Sequence, residues 1–417
     1  MPLTKDNSIL IVGGGTFGLS TAYHLAQAGY TKITILDKGD SIPSPLSAGN
    51  DLNKIVRAEY EDPFYAELAL SAIAEWASNP LFAPHYSQVG YLLGNSAAAP
   101  EKSKRSLAKS LASIERHPAF AKQITAINSR DDVRAVAPAL DGPMDGWTGY
   151  FNRLAGYARA ADALRSVYVA VKEMPGVDVR LGRTVVSLNH EDGNAGLAVG
   201  VNTASGKETY TADLVILTLG ASLANLLPSI GQQITAKSWL ITHIQLTAEE
   251  AVQLEGIPVT YSRDLGFFFE PDRQTGLLKI SPSGAGFTNR NNGISVPLEK
   301  NDFVPPGEEE AVRNILREHL PRFADRPLVN SKMCWCADTA DSEYIIDFVP
   351  ERKGLVVATG DSGHAFKMFP VMGGWVRDLL EKGQQDVARW RWKEGNDAAA
   401  AEVSWRVGST RDLSEVL

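Results

Sequence analysis

Ser8-Ile9-Leu10-Ile11-Val12-Gly13-Gly14-Gly15-Thr16-Phe17-Gly18-Leu19 holds a short apolar run, a glycine turn and the start of a helix. Ser8 to Val12 reads as a buried strand, and Leu19 to Ala28 has helical spacing that Gly29 ends. A second, β-branched strand, Lys32 to Leu36, closes on Asp37, nineteen residues beyond Gly18. Gly13, Gly15 and Gly18 thus make a G-x-G-x-x-G run between strand and helix with an acid in register, the pattern of a dinucleotide-binding βαβ unit. The glycines let the backbone turn tightly and approach a pyrophosphate, whose charge would meet the free N–H groups of the helix start. Asp37 would accept hydrogen bonds from a ribose. A turn that merely joins strand to helix is the plainer alternative, and the acid in register argues against it. FAD and NAD both use this turn, which leaves the cofactor open.

Outward from this unit, Pro63 to Ala77 is helical, and Ala99 to Val136 is helical in character with scattered charges, as in a peripheral scaffold. Ala160 to Val171 is a helix, Val177 to Leu188 reads as strands, and Gly200 to Leu219 reads as a β-meander whose last strand returns to the first unit. Between Trp239 and Ile280 the pattern alternates and is rich in aromatics, as expected of an antiparallel sheet walling a substrate site. Pro305, Pro306 and the acidic run Glu308 to Glu310 mark a helix start, where the dipole favours negative charge. Leu355 to Ala358 is an apolar strand entering Thr359-Gly360-Asp361-Ser362-Gly363 before a helix near Val371 to Leu380.

The 417 residues are 44% hydrophobic and 22% charged, the composition of a globular protein able to bury a sizeable core. A formal charge of −8 argues against general attraction to nucleic acid or an anionic membrane and leaves a small molecule as the expected partner. Cys334 and Cys336 are the only cysteines. They are too close for an ordinary disulfide and too few for a structural zinc site, which fits a reducing compartment. Ile9 to Val12 lacks the flanks of a signal peptide, no run approaches the length of a membrane span, and Ser414 to Leu417 is not a Ser-Lys-Leu signal. A cytoplasmic monomer is expected, with the peroxisome left open.

Ser47-Ala48-Gly49-Asn50-Asp51-Leu52-Asn53-Lys54-Ile55, Arg57-Ala58-Glu59-Tyr60, Met333-Cys334-Trp335-Cys336 and Gly360-Asp361-Ser362-Gly363-His364-Ala365-Phe366-Lys367 together resemble the monomeric sarcosine oxidase family of flavoproteins. Within it the chain looks most like the fungal fructosyl amino acid and fructosyl peptide oxidases, the amadoriases, with saccharopine, pipecolate and N-methyl amino acid oxidases as near relatives. The resemblance covers almost the whole chain. It implies an α/β fold: a doubly wound, Rossmann-like FAD domain (1–60, 150–230 and 330–417) with an interleaved antiparallel α+β substrate domain (61–149 and 231–329). It also implies oxidation of the carbon-nitrogen bond of an N-substituted amino acid, of fructosyl amino acid type, by hydride transfer to FAD. Oxygen would then reoxidise the cofactor to give hydrogen peroxide, and the imine would hydrolyse or cyclise. Saccharopine, pipecolate and N-methyl amino acids are alternative substrates, and a flavin dehydrogenase that does not use oxygen is an alternative chemistry.

The residues implied to line FAD, besides Gly13, Gly15, Gly18 and Asp37, are Ser47, Asn53, Lys54, Val185, Asp361, Gly363, Phe366 and Lys367. Cys334 matches the family's cysteine that tethers the flavin through sulfur; forming that bond needs a thiolate, and a buried free thiol is the plain alternative. Arg57 and Lys367 match the pair that grips the substrate carboxylate, a planar guanidinium and an ammonium suited to an anion. Lys279 matches the lysine that activates oxygen, where a cation stabilises developing negative charge. Two departures bear on sugar recognition: Gly156-Tyr157 stands where amadoriases tend to carry glycine-tryptophan, and the stretch after Lys279 is shorter and less basic. Glu270 matches an acid that binds sugar hydroxyls, and it equally suits capping the adjacent turn. His24 and His243 have no metal-ligand spacing and read as structural, whereas His364 lies inside the flavin-side motif as a contact or a support. Arg389-Trp390-Arg391-Trp392-Lys393 interleaves rings and cations as single-strand binders do, but its shortness favours an arm packed on the body.

Overall fold

Ile9–Val12 is buried along its whole length because it becomes the middle of a six-stranded sheet. It pairs in parallel with Ile33–Leu36 on one side and Leu214–Leu217 on the other. Val177–Arg180 extends the first side and Leu355–Thr359 the second, both in parallel, and Ile345–Phe348 closes the edge antiparallel. The computed structural model describes residues 3–190, 197–203, 206–393 and 408–417. Strands covered on both faces need side chains that are apolar on both, which is why these runs are continuous and not alternating. The order reverses at the first strand, so the chain is wound both ways from it and leaves a crevice at the strands' carboxyl ends.

Thr16–Gln27 crosses one face of this sheet, burying Leu19 and Leu25, each contributing roughly 1.5–3 kcal/mol as area removed from water. Met372–Lys382 lies against it so closely that a Cβ on Gly373 would stand 2.0 Å from the Ser20 carbonyl oxygen. His24 Nε2 meets the Pro370 carbonyl at 2.9 Å in the same contact, the structural role expected of it. Pro63–Ser78 and Ala160–Lys172 form as expected, and Glu308–His319 starts on three glutamates.

The second large element is a ten-stranded, mostly antiparallel sheet, in which Ile234–Gln245 is joined by Leu277–Pro282 and, over most of its length, by Leu328–Thr339. Cys334 therefore lies on this sheet, opposite Trp239, although the segment from residue 330 is expected in the cofactor unit; the long antiparallel pairing holds it here until Thr339. Thr148–Asn152 also belongs to this sheet, pairing Tyr91–Asn95, whereas the reading from residue 150 put it with the cofactor unit. The expected helical scaffold from Ala99 to Val136 is two helices, Glu101–Glu115 and Arg130–Val136, around a strand, Ile124–Ile127. That strand exists because Thr148–Asn152 offers it an open edge, a partner no local pattern reveals. Between Trp239 and Ile280 the strands are interrupted by the short helix Ala248–Gln253, set by a capping box of Thr247 and Glu250. Leu197–Thr203 and Gly206–Ala212 pair antiparallel, whereas Leu214–Leu217 leaves them for the six-stranded sheet, returning to the first unit; 204–205 lie outside the described residues. No helix among the described residues is long and apolar enough to cross a membrane.

Candidate active site

A cavity of about 750 Å³ opens where the parallel strands end and reaches the face of the large sheet. Gly13, Asp37 and Thr218, each following directly on a strand of the six-stranded sheet, line it, as does Asp361, two residues past Thr359. Gly15 lines it too, and a Cβ there would meet only Ser47 Oγ, at 3.8 Å, so the backbone is open to close approach. No side chain caps the helix that begins at Thr16, which leaves its first N–H groups for a ligand's charge. Asp37 is held in place by accepting from Gly14 N at 2.7 Å and Gly39 N at 2.8 Å. Burial nonetheless raises its pKa above the ordinary value.

Gly18 does not face the cavity. A Cβ on it would lie 1.8 Å from the Gly13 carbonyl oxygen, so its task is to let helix and strand touch. Gly18→Ala should therefore push the two apart, lowering stability by roughly 1–3 kcal/mol and loosening the turn. Thermal unfolding together with the flavin-to-protein absorbance ratio checks this, and unchanged values for both refute it. Ser47, Lys54, Val185, Asp361, Gly363 and Phe366 line the cavity. Asn53 does not. It is buried beneath the cavity wall, and its backbone carbonyl accepts from Lys279 Nζ at 2.6 Å.

Lys279 projects from Leu277–Pro282, with 1% exposure, into an ion pair with Asp51 at 2.6 Å, and Lys54 pairs with the same carboxylate at 2.8 Å. Burial opposes charge on Asp51, but the two ammoniums outweigh it and hold the carboxyl well below its usual range. Lys279 fares differently: burial outweighs the attraction of Asp51, and its pKa is pushed down to about 8. Lys54 Nζ also stands 3.7 Å from Cys334 Sγ, which faces the cavity; Cys336 lines it as well. Asp51 was quoted in the sequence motif without a role, and its spacing of three from Lys54 was the available signal.

At another part of the same cavity Arg57 and Lys367 come together around Tyr60. Lys367 Nζ donates to Tyr60 Oη at 3.1 Å and to the His364 carbonyl at 2.9 Å. His364 Nδ1 meets Tyr60 Oη at 3.1 Å while Nε2 meets the Ser342 carbonyl at 2.8 Å. With Nε2 protonated, Nδ1 is an acceptor that the Tyr60 and Tyr344 hydroxyls share, each at 3.1 Å, while the Tyr60 oxygen accepts from Lys367. Burial, then Lys367, pushes the imidazole down to about 3, which keeps it neutral. Burial, then Arg57, holds the Lys367 ammonium well below its ordinary pKa. Arg57 donates to the Glu59 carbonyl, and Glu59 itself is 1% exposed, with Oε1 accepting from Asn152 at 2.7 Å.

Other expected features lie elsewhere. Glu270 is outside the cavity lining, its oxygens taken by Tyr157 Oη at 2.7 Å and Gly256 N at 2.6 Å, so it holds a turn. His243 is buried beside Lys279, and burial lowers its pKa to about 4. Trp390 is buried, donating to Tyr65 Oη, and Arg389 bridges Asp62 and Glu343, so this arm packs on the body.

A glycine cradle at the switch point of a doubly wound sheet, opening onto a cavity with buried cations, defines a dinucleotide-dependent oxidoreductase. The chain belongs to the FAD dependent oxidoreductase (DAO) family, which matches it over residues 8–379. It is 33% identical to L-saccharopine oxidase of Schizosaccharomyces pombe, over 96% of both chains. Its structure is similar to that of the deglycating fructosamine oxidase (amadoriase II) of Aspergillus fumigatus, with a TM-score of 0.88 at 34% identity, covering 100% of this chain and 97% of that one. Fructosyl peptide oxidase from E. terrenum superposes with a TM-score of 0.89 at 33% identity, covering 100% and 98%. The expected family, fold class and FAD dependence are thus met, and the chain is an amine or amino acid oxidase of the amadoriase and saccharopine oxidase type.

Proposed function

We propose that the protein oxidises the secondary amine of an N-substituted amino acid, with oxygen as the electron acceptor and an imine and hydrogen peroxide as products. The observation that carries this is the pairing of Arg57 with Lys367 in the cavity that also holds Lys279 and the Gly13–Gly15 turn. A guanidinium and an ammonium side by side suit a carboxylate. They also lower the pKa of an amine bound next to them, favouring the neutral form whose lone pair assists oxidation. Tyr60 and His364 fix the Lys367 ammonium for that contact. Bound FAD supplies the two-electron acceptor. The open backbone at Gly15 and the uncapped helix start suit its diphosphate, and Asp37 its ribose. Lys279, kept in place by Asp51, offers a buried cation where oxygen takes up negative charge. Glu270, the acid matched to sugar hydroxyls, lies outside the cavity lining, so the proposal is confined to the N-substituted amino acid class.

The test is anaerobic mixing of the purified holoenzyme with a panel comprising a fructosyl amino acid, saccharopine, pipecolate and an N-methyl amino acid. Bleaching of the flavin by at least one amine, with peroxide on admission of air, is expected. A flavin that no panel amine bleaches sinks the reading.

The position of Cys334 Sγ in the cavity, against Lys54, supports a thioether to the cofactor. Acid-precipitated protein should stay yellow, and Cys334→Ser should release the colour to the supernatant. Colour leaving the wild-type pellet rules the tether out.

A further inference from the structure

Arg263 sits between Val259–Ser262 and Gly266–Phe268, is 7% exposed, and lines the same cavity as Arg57. Its guanidinium donates to Ser106 Oγ and, at 3.4 Å, to Ser110 Oγ, both on the helix Glu101–Glu115. Five N–H donors thus meet two neutral hydroxyls. Among the described residues no carboxylate lies within ion-pair distance of Arg263. Ser106, which accepts from Arg263, donates in turn to Glu61 Oε1 at 2.7 Å.

A buried cation left with hydroxyl partners bears an uncompensated desolvation cost. If Arg263 served only to tie the helix to the sheet, a neutral donor would do so without that cost. Nor does it complete the carboxylate clamp already described, which Lys367 and Arg57 form around Tyr60. Tyr261, two residues before Arg263, lines the same cavity with Phe267 and Phe269, their ring centroids 5.4 Å (Tyr261–Phe267) and 5.8 Å (Phe267–Phe269) apart, so an aromatic patch shares the cavity with the two arginines. An elongated ligand fits this arrangement: an acid at Arg57, an amine and apolar stem over the aromatics, and a second anion at Arg263.

We propose that Arg263 binds a second carboxylate, carried on the N-substituent, so that the preferred substrates are N-(carboxyalkyl) amino acids with the secondary amine between two acids. This rests on the proposed function and names the substrate class within it. Arg263 is a specificity-determining residue, set apart from the reacting bond.

The experiment compares kcat/KM of the holoenzyme for a series of N-(ω-carboxyalkyl)glycines and for their terminal carboxamides, equal in size and lacking only the second charge. The wild type should favour the acid of the best arm length by about 30-fold or more, the range of a buried charged contact. Arg263→Met should abolish that preference by raising KM for the acid while leaving the carboxamide within a few-fold. Equal use of acid and carboxamide by the wild type overturns the proposal whether or not Arg263→Met folds, and so does a preference that survives the substitution. If a panel amine bleaches the flavin and no member of this series does, the inference fails while the proposed function stands. If no amine bleaches it, the proposed function fails first.

Discussion

Replacing Lys279 with methionine is expected to slow reoxidation of the reduced enzyme by oxygen by about 10²–10³-fold, the usual loss when a preorganised stabiliser of developing charge is removed. Reduction by the amine under anaerobic conditions should change by no more than a few-fold, because the proposed carboxylate clamp, Arg57 and Lys367, is around Tyr60 and not at Lys279. The variant should fold: Asp51 keeps Lys54 as partner at 2.8 Å, so no buried carboxylate is stranded. A pH signature separates this role from mere packing. The Lys279 ammonium, with its pKa depressed to about 8, is charged below that pH and neutral above it. The oxygen rate constant of the wild type should fall as pH rises through about 8, and that of Lys279→Met should be flat across the same range. Stopped-flow mixing of reduced enzyme with oxygenated buffer reads both. Equal rates in the two proteins would remove Lys279 from the oxygen reaction.

The second large effect is at the clamp. Arg57→Ala and Lys367→Ala should each raise KM for an amino acid substrate by about 30-fold or more, since truncating one partner of a buried charged contact costs roughly 2–5 kcal/mol. Their pH behaviour should differ. Arg57 is charged throughout, whereas burial and Arg57 depress the Lys367 pKa, and an arriving carboxylate shifts that nitrogen back toward its charged form. Substrate binding by the wild type should therefore take up a proton and weaken as pH rises, and in Lys367→Ala that dependence should disappear. Binding titrations in buffers of different ionisation enthalpy measure the uptake. An unchanged KM in either variant would refute the clamp.

These two sites differ in how they could be read before the fold was known. The opening βαβ unit was legible because everything that specifies it is local: an apolar run, glycines at set spacing, a helix pattern and an acid closing the next strand. Arg57, Lys367 and Cys334 came from motifs that the family resemblance supplied, and the structure brings each to the cavity. Lys279 was named the same way, but its chemistry depends on Asp51, 228 residues earlier in the chain, and no local pattern announces that pair. Arg263 belongs to no motif at all. It matters only because the loop after Val259–Ser262 turns it under the helix Glu101–Glu115.

Sequence by itself determined the opening βαβ unit, since an apolar strand, a glycine turn, a helix pattern and a closing acid specify it within a few tens of residues. Tertiary structure decided what each polar side chain faces. Glu270 was a candidate by position and lies outside the cavity lining, because Tyr157 and Gly256 take its oxygens, and Asn53 is buried outside the lining with its backbone carbonyl accepting from Lys279. Direction, burial and the charge of the neighbours are properties of the packed whole, and they separate a lysine at pKa about 8 from one on the surface.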